Sequence, residues 1–322
     1  MLEGEATGLA LVGEAAAHLA APVKTGLLKA LNNLLGGLTA IPAAKLKQYA
    51  QGIEDTTAAR SAVAAMVAKS AGEGGLADPT LMQAAAEVYL PTALRKAKNR
   101  IGVAQKAAEH IVDEPGEHPN ALPPEDDWMN FYTRFAEDAS SEKLQDLFGR
   151  ILAGQIVRPG SFSQSTIRAV AELDQEIATD FGLVWAKSVG EAVDYSAEFQ
   201  RGEWFARWQR LAEAGLMASR DTAQFLPPFR ALINGNSLWT PMTVDGTYLL
   251  IHFPERCGAR WTNIAFTRVG RELGGVLARP DYEGNMREAG QKIARQGVSR
   301  VELHAAGKQG EVLFQAPPKP EG

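Results

Sequence analysis

Apolar residues recur at three- and four-residue steps near the start of the chain, which predicts helices within residues 5–50. The apolar stripe consists of Val23, Leu27, Leu28, Leu31, Leu34, Leu35 and Leu38. Two interpretations stay open: a core helix of a helical bundle, or an interfacial helix that contacts a membrane surface or a partner protein. The uncharged run over residues 30–44 is too short to span a bilayer, which takes about 20 apolar residues.

The pattern predicts further helices over residues 54–71 and from Pro79 to about His110. Asp78 is the predicted N-cap of the second of these, and Pro91 is expected to kink it or divide it in two. This helix carries the densest basic cluster of the chain, formed by Arg95, Lys96, Lys98, Arg100 and Lys106. The cluster is either a solvated helix face or a docking face for an acidic partner, phospholipid head groups or nucleic acid.

Residues 113–124 are acidic and rich in proline, which predicts a linker and a domain boundary. The charge balance changes at the same place. Residues 1–110 carry eleven Lys or Arg and nine Asp or Glu, whereas residues 111–160 carry four and ten. An acidic belt therefore follows a mildly basic, alanine-rich region.

Two helices are predicted after the linker. The carboxylates at residues 125–127 fall in the first turn of one of them, where they complement the helix dipole, and Ser140 or Ser141 caps the other. A turn follows, just before a further helix. Its residues Arg158, Ser161 and Ser163 are a candidate anion site at that helix N-terminus, with an ordinary turn and cap as the alternative.

This middle region carries the most distinctive signature of the chain. Ala139-Ser-Ser-Glu-Lys-Leu-Gln is followed by Leu152-Ala-Gly-Gln-Ile and then by Pro159-Gly-Ser-Phe-Ser. Over about residues 125–180 the run resembles the bacterial DUF2806 family of uncharacterised proteins, with Gln155 where the resemblance leads us to expect Glu. The resemblance implies a bacterial or phage-related origin, a link to suspected phage-defence genes, and no established chemistry.

The C-terminal part mixes helix and strand patterns. Residues 203–217 predict a helix that ends at Gly215, and strands are predicted at residues 247–253, 299–304 and 311–315. A helix is predicted at residues 285–296.

The run from Ile264, in which Thr267 caps a helix, resembles the closing strand and helix of a winged-helix domain. Arg207 and Arg210 lie on the helix at residues 203–217 and are candidate contacts to nucleic acid or protein. The large aromatic residues on the same helix, Trp204, Phe205 and Trp208, favour core packing or a protein interface instead.

No nucleotide-binding or hydrolase motif is present in the sequence. The histidines are His18, His110, His118, His252 and His304, and they lack metal-ligand spacing, so no metal and no cofactor is expected. Cys257 is the only cysteine and is interpreted as structural or free. A net charge of −5 disfavours a general nucleic-acid binder. The absence of a signal-peptide pattern predicts a cytoplasmic protein, with peripheral contact at the inner membrane as a variant.

We therefore expect a mainly α protein. The predicted parts are a helical N-terminal domain (1–112), the linker (113–124), a helical DUF2806-like module (125–200), a smaller α+β winged-helix-like domain (201–316) and a disordered tail (317–322). The expected function is a non-enzymatic sensor or adaptor in anti-phage defence. Its partner would be a second copy or the product of a neighbouring gene, with peripheral membrane contact through the leucine-rich stripe. A winged-helix DNA-binding regulator is the alternative, and an enzyme with an unrecognised site is the third hypothesis.

Overall fold

The structure is a computed structural model that describes residues 19–36, 79–113, 118–195, 197–228 and 236–317. The chain divides into two compact units, Met1–Ala171 (unit 1) and Glu172–Gly322 (unit 2). Unit 1 contains the residues on both sides of the predicted linker. Several features predicted above lie outside the described residues: His18, Leu38, the helix at residues 54–71, the Asp78 N-cap, residues 114–117 of the linker and residues 318–322.

Unit 1 is helical in its described residues. Its helices are α1 (Ala21–Leu35), α2 (Pro79–Asp113), α3 (Asp126–Ala136), α4 (Glu142–Val157) and α5 (Gln164–Glu172), the last of which ends one residue past the unit boundary. The helix α2 runs through the exposed Pro91 as one element, so of the two expected effects of this proline, a kink or a division, the division is wrong. Proline removes one backbone hydrogen bond, and at an exposed position the rest of the helix survives this loss. The predicted cap of α4 is confirmed, since Leu144 N donates to Ser141 Oγ at 3.2 Å.

The leucine-rich stripe of α1 lies inside the core of unit 1. Its members Val23, Leu27, Leu31, Leu34 and Leu35 are between 0% and 4% exposed, whereas Leu28 is 47% exposed. A Cβ atom at Gly26 would lie 2.8 Å from Ile156 Cγ2, so only glycine allows α1 to approach α4 this closely. The core-helix interpretation therefore accounts for five of the seven stripe residues.

Helices α2 and α4 also pack through a glycine. A Cβ atom at Gly149 would lie 2.5 Å from Lys106 Cβ and 2.8 Å from the Lys106 carbonyl carbon. The missing side chain lets the two helix backbones touch, which holds the basic helix against the DUF2806-like module. Among the described residues, no helix combines the length and the apolar character needed to cross a membrane.

Unit 2 combines helices with two antiparallel sheets. The first sheet has the strand order β1-β2-β7-β3, and the second has the order β4-β6-β8-β9 with β5 paired to β6. The strands are β1 (Ser188–Val189), β2 (Ala192–Asp194), β3 (Thr222–Phe225), β4 (Asn236–Trp239), β5 (Thr243–Val244), β6 (Thr247–Pro254), β7 (Arg260–Ala265), β8 (Arg300–His304) and β9 (Glu311–Gln315). The helices are α6 (Gln175–Trp185), α7 (Gly202–Glu213), α8 (Arg268–Gly274) and α9 (Tyr282–Ala294), with a 3₁₀ turn at Ala197–Gln200.

The predicted fold class is wrong for this part of the chain. The C-terminal region is rich in sheet and is not a small winged helix, because nine strands form two sheets in the described residues. Local patterns had identified several of these elements, and the Thr267 cap is confirmed by its 3.1 Å bond from Gly270 N. The fold class was predicted wrongly because strand pairing links distant segments: β2 pairs with β7, about 70 residues further along the chain. In addition, β1 and β5 are only two residues long, too short to show an alternation of apolar and polar residues.

The five-stranded sheet has one buried face and one part-exposed face. Exposure alternates strictly along β6 and β8, the signature of a sheet covered on one side. The buried face, with Leu249, Ile251 and Val301, packs on Met286 and Ile293 of α9 in one core. The opposite face, which we call the open face, carries Tyr248, Leu250, His252, Arg300, Glu302 and His304.

Candidate functional site

The basic cluster of α2 is largely paired inside unit 1. Lys96 Nζ donates to Glu137 Oε1 at 2.5 Å, and Arg100 donates to the other oxygen of the same carboxylate. Arg95 contacts Asp138 at 3.1 Å. Lys106 pairs with Glu109 of its own helix at 2.9 Å, and Lys98 has an interaction of its own as well. The cluster thus meets the acidic belt of the same unit.

Glu137 lies at the C-terminal end of α3, where the backbone carbonyls lack helical partners. Asn99 Nδ2 donates to the Glu137 carbonyl oxygen at 2.9 Å, so three side chains of α2 converge on this residue. Burial alone would raise the pKa of the Glu137 carboxyl, but the hydrogen bonds from Lys96 and Arg100 outweigh it and hold the pKa below its ordinary value. These three contacts lock α2 onto α3.

The candidate anion site uses its hydroxyls internally. Ser161 Oγ donates to the Arg158 carbonyl at 2.6 Å, and Thr166 N donates to Ser163 Oγ at 3.4 Å. Phe162 between them is buried, and its backbone N–H donates to Gln155 Oε1 at 3.0 Å. Gln155 therefore anchors the Pro-Gly-Ser-Phe-Ser turn, a role for which an amide oxygen suffices.

Arg207 and Arg210 of α7 are both held by Asp180 of α6. Their Nε atoms lie 3.0 Å and 2.8 Å from the two carboxylate oxygens of Asp180, a side chain that is 6% exposed. Glu203 adds a 2.9 Å bond to Arg210, and Arg207 stacks over Trp204 at 5.0 Å. A nucleic-acid phosphate would have to compete with these carboxylates for both guanidinium groups.

The open face brings together a polar cluster that the sequence did not reveal. Glu302 stands at its centre, with a side chain only 13% exposed. One oxygen lies 2.7 Å from His304 Nε2, while the other lies 3.4 Å from His252 Nε2 and contacts Arg300 Nε. Together with Tyr248 we call these residues the Glu302 cluster.

His304 is the most tightly held imidazole of the cluster. Its ring stacks on Tyr248 with the centroids 4.9 Å apart and the planes 4° from parallel. A Cβ atom at Gly310 would lie 2.6 Å from His304 Cε1, so the glycine backbone closes over the ring. The stacked ring, the glycine and the Glu302 bond fix its position from three directions.

His252 is held less completely. Its Nε2 faces Glu302, yet within the described residues this buried nitrogen has no partner in hydrogen-bonding geometry. Six other buried side-chain atoms of the described residues share this state, among them Arg300 Nε of the same cluster.

The sequence contained part of the signal for this cluster. The strands at residues 247–253 and 299–304 were predicted, and alternate positions on each necessarily share a face. The missing information was the register that pairs Tyr248 with His304 and His252 with Arg300. Without it the two histidines are separated by about 50 residues and look unrelated.

Unit 2 also has an exposed strand edge at β3. Strand β3 pairs with β7 on one side, and no strand of the described residues pairs with its other side. Phe225 at the end of β3 is 63% exposed, and Phe205 of α7 is 41% exposed. The four residues of β3 include no charged residue and no proline, which are the usual protection of such an edge.

The described part of the chain contains no group of three or more His, Cys, Asp or Glu residues arranged to hold a metal ion. The sulfur of Cys257 faces the Gln296 carbonyl at 3.5 Å, as a partly buried free thiol.

Residues 93–201 match a family described as "Protein of unknown function (DUF2806)". The match covers the second half of α2 and extends to the start of α7, and it confirms the predicted resemblance. No curated protein and no solved structure matches the chain. The part with a known family is therefore mainly unit 1, while the Glu302 cluster and β3 lie beyond it.

Proposed function

We propose that this chain, with its DUF2806 segment, is an adaptor that binds an extended segment of a partner protein along the free edge of β3. The observation that carries the proposal is the exposed strand itself. Its outer backbone groups are unpaired within the described residues, and Phe225 stands 63% exposed beside them. An added strand would satisfy the backbone groups and bury this phenyl ring.

The other predicted contact surfaces support this choice because they are occupied. Five residues of the leucine-rich stripe are buried in unit 1, so the proposal does not include membrane contact through that stripe. Arg207 and Arg210 are bound to Asp180. The proposed place of the adaptor in anti-phage defence rests on the family resemblance alone.

The test uses the products of neighbouring genes, co-expressed one at a time with the tagged chain. We expect one of them to be retained by the parent protein and by Val312→Glu, which places a charge on the other sheet's edge strand β9. Phe225→Glu should weaken binding at least about tenfold, as loss of an aromatic anchor does. Equal binding by Phe225→Glu and Val312→Glu would exclude the β3 edge.

The defence role is tested separately by phage plating on cells that express the parent or Phe225→Glu. Protection by the parent and loss of protection in the variant is the expected result. Equal plaque numbers with and without the parent gene, over a broad phage panel, would exclude the defence role. The docking proposal would not be affected by this result, since the binding experiment tests it independently.

A further inference from the structure

We propose that the Glu302 cluster is an acid–base site that cleaves single-stranded RNA. This activity is separate from the docking function and does not rest on it. The cluster combines two imidazoles, one carboxylate and one guanidinium on a part-exposed sheet face. Imidazole is the side chain most often used to move protons near neutral pH.

The first step of the argument is the His304–Glu302 pair. The 2.7 Å contact from Nε2 to the carboxylate places the proton on Nε2 and leaves Nδ1 as the ring nitrogen with a lone pair. A carboxylate that holds one nitrogen of a histidine so that the other can accept a proton is the arrangement of many general bases. Tyr248 and Gly310 keep the ring from rotating away.

The second step is His252. It faces the other oxygen of the same carboxylate, 3.4 Å away, so both imidazoles border one small area of the face. Its Nε2 is buried against that oxygen, so the proton that His252 can give to a substrate is the one on Nδ1. We assign His252 as the general acid.

The third step concerns the substrate. The cluster contains no serine, threonine or cysteine, and the nucleophile that we propose is a hydroxyl group of the substrate. RNA supplies it, because the 2′-hydroxyl lies next to the phosphate. Arg300 has a side chain that is 39% exposed, and its guanidinium can contact that phosphate. Leu238 and Val312 flank His252 and Glu302 in the register and remain exposed, which offers apolar surface to a base.

The reaction then balances without a co-reactant. His304 Nδ1 takes the proton of the 2′-hydroxyl while the 2′-oxygen bonds to phosphorus. The bond from phosphorus to the 5′-oxygen of the next nucleotide breaks, and His252 gives its Nδ1 proton to that oxygen. The products are a 2′,3′-cyclic phosphate and a 5′-hydroxyl, and exchange of protons with water restores both histidines.

The test compares a fluorescent single-stranded RNA of mixed sequence with the same oligonucleotide carrying 2′-O-methyl groups throughout. EDTA is added so that any contaminating nuclease that depends on a metal ion is inactive. We expect the full-length parent to cleave the first and leave the second intact, with cyclic-phosphate ends identified by mass spectrometry. Failure to cleave the RNA, or cleavage of the methylated strand, would overturn the proposal whatever the variants do.

Variants then assign the activity to the cluster. His304→Asn and His252→Asn should each lower kcat by at least about 100-fold, the usual effect of removing a general base or acid. His110→Asn is the matched control, since His110 also faces a carboxylate at 2.7 Å, that of Asp146 in unit 1. Circular dichroism spectra and melting temperatures close to those of the parent show that each variant is folded. Full activity in His304→Asn would indicate a contaminant and refute the site.

Glu302 is a positioning residue in this scheme. Glu302→Gln keeps an oxygen for His304 but removes the charge, so kcat should fall by about tenfold while KM stays unchanged. A change confined to KM would mean that the carboxylate acts in substrate binding, contrary to the assignment. Phe225→Glu should retain full cleavage, which separates this site from the docking edge.

Discussion

Two glutamates, one in each unit, are equally buried and have opposite surroundings. The side chains of Glu137 and Glu302 are each 13% exposed, and each receives contacts from several side chains. Glu137 is held by Lys96 and Arg100, which are permanent cations, whereas Glu302 is held by Arg300 and two histidines. A carboxylate that binds permanent cations stabilises the fold, whereas a carboxylate that binds imidazoles can also take part in proton transfer.

The local folds explain the difference in access. Glu137 ends a helix, and side chains of α2 cover it from the neighbouring helix. Glu302 lies in mid-strand, and its neighbours come from cross-strand positions that face out of the sheet. Although the two carboxylates are equally exposed, Glu137 is therefore part of the helix packing in unit 1, whereas Glu302 is part of a sheet surface in unit 2.

The largest expected effect is a difference in stability between variants that lack one or the other carboxylate. Glu137→Ala leaves Lys96 and Arg100 without their shared partner and should lower the free energy of unfolding of unit 1 by about 2 kcal/mol. Glu302→Ala leaves one permanent cation, which stays partly solvated, and should cost unit 2 less than about 1 kcal/mol. Urea unfolding of both variants measures the difference, and equal losses would contradict the comparison.

A smaller effect tests how firmly His304 is held. Gly310→Ala places a Cβ atom 2.6 Å from the ring, which should displace the imidazole and cost about 1 kcal/mol. Gly258→Ala is the control, because no atom lies within 4 Å of its added Cβ. Histidine ring resonances in NMR spectra report the displacement. An unchanged His304 signal in Gly310→Ala would mean that the glycine does not fix the ring.

Part of the pH dependence of stability in unit 1 should come from Glu137, beside Asp146, whose pKa is also lowered. The pKa of Glu137 is lowered in the folded protein relative to the ordinary 4.5, so the folded state binds this proton less readily than the unfolded state does. The stabilisation is fully present above about pH 4.5 and is lost as the pH falls through the lower folded pKa. Urea midpoints of unit 1 measured between pH 6 and pH 3 should fall less steeply in Glu137→Gln. A parallel decline in parent and variant would assign the loss to other groups.

The smallest effect concerns a cation of the basic cluster that does not reach Glu137. Lys106 and Glu109 form a pair at 2.9 Å on the surface of α2, with Glu109 54% exposed. Glu109→Gln should change the free energy of unfolding by less than about 0.5 kcal/mol, as exposed pairs do. Thermal unfolding beside Glu137→Ala checks this. A loss as large as that of Glu137→Ala would show that the cluster acts as one network.

Helix-forming patterns predicted unit 1 well because their information is local. The stripe of α1, the Ser141 cap and the basic helix each depend on residues within a few turns of one another. The DUF2806 signature lies in the same kind of sequence and is confirmed over residues 93–201. What the stripe contacts was left open, because an apolar face looks the same whether it meets a core or a membrane.

Unit 2 was predicted in pieces and assembled incorrectly. The strand at residues 311–315 and the helix near residues 285–296 are present, with the helix beginning three residues earlier, at Tyr282. Their arrangement in two sheets depends on pairings between distant strands, which no local pattern specifies. The winged-helix interpretation combined elements that are neighbours along the chain, because sequence patterns give no information about contacts between distant elements.

The amino-acid sequence by itself determined the helices among the described residues of unit 1, the Ser141 cap, the strands β6, β8 and β9, and the DUF2806 match of the middle region. Only the tertiary structure decided which charges meet: Lys96 and Arg100 at Glu137, Arg207 and Arg210 at Asp180, and His252 and His304 at Glu302. The physical reason is distance along the chain. Periodicity reports which face a residue occupies, whereas the partner on that face is set by packing and strand register between segments tens of residues apart.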